Sequence, residues 1–398
     1  MIIRARTIVT MDGAPIENGA VAVSQDLIID VGKFNDVKRR NTSPTVDLGE
    51  QLLLPGLINA HCHLDYTCLR GKIPPQKSFT DWIRAINAQK AERSPNDYVA
   101  SINQGFVEAK KFGTTAIANL TAFPELISQI QPPIRTWWFA ELIDIRAPER
   151  ANELVDTAIE ALKQTPSWGL APHALFTASR NLYRRCEEIA RRENILLTTH
   201  LAESRQEIEM FRHASGPLYE FLKSIGRPMD DCGKETALGL FVAALGERSL
   251  PRWIVAHLNE LAASDVELLE KSNSRFHVVH CARSHHYFGH SPFAFDRLRS
   301  LGFNICLGTD SLASNENLSL FAEMRAFQKQ FPSVSLKEIL QMVTVNPARA
   351  LRQAGVLGQI IEGAQADLLA VPFSGDDVLE EILGFTGEPW MMICGEVQ

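Results

Sequence analysis

The chain has 398 residues but no apolar run approaching the roughly 20 residues that a membrane-spanning helix needs, which excludes that class. Its seven cysteines, at positions 62, 68, 186, 232, 281, 306 and 394, form no CxxC pair. They read as reduced thiols in a cytoplasmic protein rather than as disulfides or a thiolate metal site. Positive charge is in deficit, with 40 Lys and Arg against 47 Asp and Glu and a net charge of −7. Nothing electrostatic therefore points to nucleic acid, and a small organic molecule is the expected partner. The opening MIIRARTIVTMDG alternates like a strand and lacks the apolar core and small-residue cleavage site of a signal peptide. There is no low-complexity segment. What is present is ordinary globular composition, 45% hydrophobic and 22% charged, in a chain long enough to bury a large core.

Residues 1–53 read as short strands, IIRARTIVT, AVAVSQ and LIIDVG, with turns at MDGAP and ENGA. After Leu54 the pattern becomes apolar strands alternating with helical stretches, the signature of repeated βα units and a parallel sheet. Eight strands can be counted: LLPGLINAH, TTAIANL, RTWWFAEL, GLAPHAL, ILLTTHLAE, WIVAHLN, FHVVHCA and FNICLGTD. Eight is the number that closes a barrel. Among the helical stretches, SPFAFDRLRSLG offers Ser291-Pro292 as a cap and first-turn pair. The tail, GVLGQIIEGAQADLLAVPF and EPWMMICGEVQ, turns to strands again. The expected fold class is α/β: a (β/α)8 TIM-like barrel of residues 54–355, with a small β-sandwich domain built from residues 1–53 and 356–398.

In such a barrel the C-terminal strand ends converge on one face, and that face carries the active site. His61 and His63 end the first strand, His173 the fourth, His200 the fifth, His257 the sixth, His280 the seventh and Asp310 the eighth. Each is a costly group to place at the end of an apolar strand. Residues i and i+2 of a strand face one way, so His61 and His63 project together, with Cys62 turned into the packing behind. Neutral imidazoles and a carboxylate with one open position suit a divalent metal of the zinc or iron type. His61, His63, His200 and Asp310 meet that need. Glu203, three residues after His200, sits where a carboxylate can take a proton from the attacking water and deliver it to the leaving group.

PGLINAHCHLD, TTHLAES, IVAHLNEL and LGTDSLASN resemble the corresponding motifs of the amidohydrolase superfamily, in its deaminase and chlorohydrolase branch. The likeness covers nearly the whole chain, with IEGAQADLLAV resembling that family's return strand. It implies that His61, His63, His200 and Asp310 bind zinc or iron, that Glu203 shuttles protons, and that His257 steadies the attacking water or the tetrahedral centre. Two-metal members carry a carboxylated lysine on the fourth strand. Here that strand ends Ala171-Pro172-His173, so one metal is expected. His173 matches a histidine that touches the substrate ring in similar purine-type deaminases, and Trp82 falls where related deaminases wall the pocket.

The resemblance implies hydrolytic deamination of an aminopurine nucleoside, as in deaminases of S-adenosylhomocysteine, methylthioadenosine or aminodeoxyfutalosine. The HxE and PCxxC pattern of the cytidine-deaminase zinc site is absent, so the solution would be an unrelated one. The segment HCARSHHYFGHSPF departs from the family's commonest form. In it His285, His286 and His290 either build a polar pocket for a ribose or carboxylate, or belong to a structured loop with Tyr287 and Phe288 packed inward. Arg283 is placed to pair with a substrate carboxylate. Asp65 either orients a ligand imidazole or caps the next loop. The rival readings are a guanine deaminase, a triazine amino- or chlorohydrolase, and a barrel without catalysis that serves as a scaffold. Whether the chain forms a homo-oligomer is left open.

Overall fold

A computed structural model describes residues 1–272, 275–375 and 377–398. The first five strands are β1 (Ile2–Ile8), β2 (Ile16–Ser24), β3 (Leu27–Lys33), β4 (Thr45–Asp47) and β5 (Gln51–Pro55). The next nine are β6 (Leu57–His63), β7 (Thr114–Thr121), β8 (Arg135–Leu142), β9 (Trp168–Pro172), β10 (Leu196–Leu201), β11 (Trp253–His257), β12 (His277–His280), β13 (Asn304–Leu307) and β14 (Asp310–Ser311). The last three are β15 (Leu368–Pro372), β16 (Trp390–Ile393) and β17 (Glu396–Val397).

β6 to β14 form one sheet in the order β13-β12-β11-β10-β9-β8-β7-β6-β14, with every pairing parallel. The eighth barrel strand is split: β13 pairs with β12, and after Gly308 and Thr309 the chain continues as β14 against β6. That crossing closes the ring. It depends on Gly308, where a Cβ would stand 2.7 Å from the His61 carbonyl oxygen and 3.0 Å from the His61 Cβ. The protein is therefore a TIM-like α/β barrel.

Alternation along the strands separates two cores. Ile58, Ala116, Trp137, Phe139, Ile254 and Val279 fill the lumen. Leu57, Cys62, Ile117, Trp138, Leu197 and Val255 pack outward against the surrounding helices. Cys62 thus lies in the outer packing, as its place between the two histidines demands. Along β6 the pairing with β7 shifts register between Asn59 and Cys62. Ile58 and Ala60 face the lumen, and after the shift His61 and His63 do so instead. The helix Val345–Ala350 plugs the opposite end, with Ala348, Ala350 and Leu351 joining the lumen cluster.

Strands from the two chain ends hydrogen-bond into one mixed sheet, β17-β16-β15-β5-β1-β2-β3, with β4 beside β1. β15 runs antiparallel to β5, Leu368 opposite Pro55. Leu53 and Leu54, expected to open the first barrel strand, belong to β5 of this sheet, and the barrel strand starts at Leu57 after Gly56. All seven cysteines are free. Among the described residues no helix is long and apolar enough to cross a membrane.

Two local expectations are corrected. Ser291-Pro292 does not begin a helix: the helix there is Phe295–Ser300. The Ser291 N–H donates to Glu260 at 2.9 Å and its carbonyl faces the His285 ring at 2.8 Å, so the segment is drawn toward the barrel mouth before the helix starts. The histidine-rich segment is not a loop throughout, because Ala282–Phe288 is helical and ends on Gly289 at φ +64°, a left-handed cap suited to glycine.

Candidate active site

Four histidines and one aspartate meet above the lumen. The ligand atoms of His61, His63 and His200 lie within 4.8 Å of one another, and so do those of His61, His257 and Asp310. His63 Nε2 and His200 Nε2 are 3.1 Å apart. Asp310 Oδ1 stands 3.8 Å from His61 Nε2 and 3.9 Å from His63 Nε2. The His200 and His257 rings stack with centroids 5.3 Å apart.

Second contacts set the direction of each group. His200 Nδ1 lies 2.9 Å from the His173 carbonyl, which can only accept, so Nδ1 carries the proton and Nε2 offers its lone pair to the centre. Asp310 Oδ2 accepts from Ser284 Oγ at 2.7 Å and Ser314 Oγ at 3.1 Å, which turns Oδ1 toward the histidines. Both ring nitrogens of His61 and Nδ1 of His63 are buried without a hydrogen-bond partner. Burial holds the imidazoles of His61, His63, His173 and His257 well below the ordinary value, so they stay neutral and fit to ligate. Orphaned, neutral, convergent nitrogens beside a carboxylate are the donor set a divalent metal of the zinc or iron type takes.

Glu203 lies on the turn after β10, its Oε2 3.7 Å from His257 Nε2. Burial, then the charges of Asp310 and Glu207, push its carboxyl well above the usual range, so it accepts a proton more readily than an exposed carboxylate does. The turn is strained, with Ala202 at φ +49°. Glu207 holds it by accepting from the N–H groups of Ala202 (3.1 Å), Glu203 (2.7 Å) and Ser204 (3.1 Å). His257 and Asp310 also sit at positive φ, 74° and 54°. Non-glycine residues seldom adopt that region, and they do so here where strand ends must aim side chains inward.

The other expected residues lie around this centre at differing distances. His173 follows β9, with Nδ1 2.6 Å from Thr177 Oγ1 and its ring centroid 4.7 Å from that of His200. Trp82, on the helix Phe79–Ala91, stacks on Phe79 and meets Phe288 edge-on. These aromatics with Gln206, Glu260 and His290 wall a cavity of about 240 Å³. A wider cavity of about 1070 Å³, past Ser314, is rimmed by Arg70, Arg283, His286 and Lys329. Arg283 is already engaged by Glu316 at 2.9 Å and Asn317 Oδ1 at 2.8 Å. His285 is buried with Nε2 on the Ser291 carbonyl, whereas His286 is exposed. Asp65 bonds neither a ligand imidazole nor the loop that follows it: Oδ2 accepts from Thr121 Oγ1 and the Ala122 N–H, tying the turn after β6 to the end of β7.

Sequence reasoning missed Glu207, Ser284, Ser314 and Glu141. Ser204-Arg205-Gln206-Glu207 carries the S-x-x-E spacing of a helix start, a usable signal for the first. Glu141, near the end of the apolar RTWWFAEL, is as costly to place there as the strand-end histidines, a usable signal for the last.

A parallel barrel whose rim gathers neutral histidines, an aspartate and a buried glutamate defines the class of metal-dependent barrel hydrolases. Residues 52–386 match the Amidohydrolase family, and the chain belongs to it. It is 29% identical over 380 residues to a 5-methylthioadenosine/S-adenosylhomocysteine deaminase of Syntrophobacter fumaroxidans, covering 91% of this chain and 82% of that protein. In fold it is similar to an aminofutalosine deaminase of Helicobacter pylori in complex with methylthio-coformycin (TM-score 0.88, 19% identity, 100% of this chain and 99% of that one). It is also similar to an adenosine deaminase of Xanthomonas campestris with bound zinc (TM-score 0.82, 24% identity, 100% and 92%).

Proposed function

We propose that this chain is a metal-dependent hydrolytic deaminase of an aminopurine nucleoside-type substrate. The observation that carries the reading is the convergence of His61, His63, His200 and Asp310 beside Glu203 and His257 on one rim. The deaminase relative at 29% identity supports the substrate class. Methylthioadenosine, S-adenosylhomocysteine, adenosine and aminodeoxyfutalosine are the candidates within it.

His61, His63, His200 and Asp310 would hold one divalent ion of the zinc or iron type, which would supply a water nucleophile at neutral pH. In the net reaction a C–NH2 group and water give a C=O group and ammonia. Glu203 takes one proton from the water and delivers it to a ring nitrogen, where it stays, then takes the second O–H proton and delivers it to the departing amine, which leaves as ammonia. His257, within 4 Å of Glu203, hydrogen-bonds the tetrahedral centre as its oxygen gains charge. His173, held by Thr177, meets the purine ring, and Trp82 covers it. Arg283, His286 and His290 receive the far end of the substrate, while His285 shapes that pocket through its bond to Ser291. A carboxylate there must displace Glu316 from Arg283.

We also read residues 1–53 and 356–398 as a small β-sandwich domain beside a barrel domain of residues 54–355, in a cytoplasmic enzyme. The test is a panel of adenine nucleosides, guanine and aminotriazines scored by ammonia release. Turnover of an adenine nucleoside is the expected result. Inactivity on all of them with turnover of guanine or a triazine would overturn it, and a protein that takes up no zinc, iron or manganese would favour a scaffold.

A further inference from the structure

Glu141 is a buried carboxylate that the mechanism above leaves without a task. On β8, Trp137 and Phe139 face the lumen, so Glu141, two residues on, faces the same way at the rim. Its side chain is 3% exposed. Oε1 has no hydrogen-bond partner, and it lies 3.6 Å from His63 Nδ1, which is also buried and also without one. An unmade hydrogen bond on a buried carboxylate costs more than the bond gains when made. The two orphans are complementary: a histidine that ligates through Nε2 carries its proton on Nδ1, a donor aimed at an empty acceptor. A closure of a few tenths of an ångström satisfies both.

A competing use can be set aside on the geometry. Glu141, His173 and His200 also bring ligand atoms within 4.8 Å of one another, as a second ion would require. His200 has one lone pair to give, because Nδ1 is committed to the His173 carbonyl. The set with His61 and His63 needs that same lone pair, so one nitrogen cannot serve two ions.

We propose that Glu141 is a positioning residue: it takes the Nδ1 proton of His63, fixes the ring so that Nε2 points to the centre, and tightens the hold on a single metal ion. This rests on His63 being a ligand, as proposed above. Carboxylates behind ligand histidines are worth about 10- to 100-fold in metal affinity.

The experiment uses the full chain, stripped of metal and titrated with zinc against a chromogenic chelator, with ion content measured directly. Wild type should take up one ion. E141Q keeps the shape and an acceptor oxygen but not the charge, and should bind about 10-fold more weakly; E141L should lose about 100-fold. Metal-free E141Q and E141L should unfold at or above the wild-type temperature, since each removes an unpaired buried carboxylate. Unchanged zinc affinity in both variants overturns the inference. So does a lower unfolding temperature of both metal-free variants that matches their loss of affinity, which would mark a general structural role. A wild type with two ions and an E141Q with one would make Glu141 a ligand and overturn it too. A wild type that takes up no ion would instead bring down the metal reading itself.

Discussion

At the scale of single residues, the groups proposed to hold a metal are distinct from the group proposed to move a proton. Glu203 lies opposite His257 rather than among the nitrogens that converge. Glu203→Gln should therefore keep its metal yet lose turnover by about 10²- to 10⁴-fold, the usual worth of a proton carrier, as ammonia release and metal analysis would register. A near-normal rate would reassign the shuttle. Asp310→Ala should lower metal content and activity together, because it removes the carboxylate that Ser284 and Ser314 hold in place. Glu323 gives a pH prediction away from the ligands. It is fully buried, accepts from the Arg283 N–H and Asn315 Nδ2, and is pushed by burial from 4.5 up to about 7. A carboxyl with a raised folded value binds more protons folded than unfolded between those two values, so its contribution is complete below 4.5 and is lost as pH rises to about 7. The stability of Glu323→Gln relative to wild type should therefore improve by up to about 3 kcal/mol between pH 4.5 and 7.5. Thermal unfolding at a series of pH values checks it; a gap that stays constant with pH would refute it.

At the scale of elements, the candidate site residues stand on strand ends bent out of regular geometry. Ala202, His257, Leu258 and Asp310 all have positive φ, and bonds from the Leu258 N–H to the Leu201 carbonyl and the Glu260 N–H to the Ala202 carbonyl stitch two of those ends together. Glu207 carries the most of this, with three backbone donors on one buried carboxylate. Glu207→Ala should cost about 2–4 kcal/mol by leaving those donors unpaired, and should depress the rate more than the metal content because Glu203 rides on that turn. Denaturant unfolding and metal analysis on one sample would separate the effects, and a stable variant with full activity would count against them. Gly308→Ala belongs to the same scale. Its methyl would press on the His61 carbonyl, and a loss of about 1–3 kcal/mol with reduced metal uptake is expected.

At the scale of the whole molecule, a part-buried ion pair ties the terminal sheet to the barrel. Asp367, just before β15, receives Arg135 of β8 at 2.6 Å and the Cys394 N–H at 2.8 Å. Asp367→Ala leaves a half-buried guanidinium without its partner, and a loss of about 2–4 kcal/mol in thermal unfolding is expected, with metal content unchanged. Loss of metal in that variant would mean the sheet shapes the centre directly.

Much of this was legible in the chain because it depends on local pattern. Strand and helix periods gave the eight barrel strands, and the cost of placing histidines and an aspartate at apolar strand ends marked the rim. The same local rules failed where a distant partner intervened. Ser291-Pro292 looks like a helix start, but Glu260 and His285 claim the Ser291 backbone. The sequence by itself determined the barrel and the histidines and aspartate at its strand ends, since both follow from hydrophobic period and from the cost of burying polar groups. Only the tertiary structure decided which way those residues face. The register shift inside β6, the split eighth strand, and the orphaned Glu141 opposite the orphaned His63 each arise from contacts between segments far apart in the chain, which no period records.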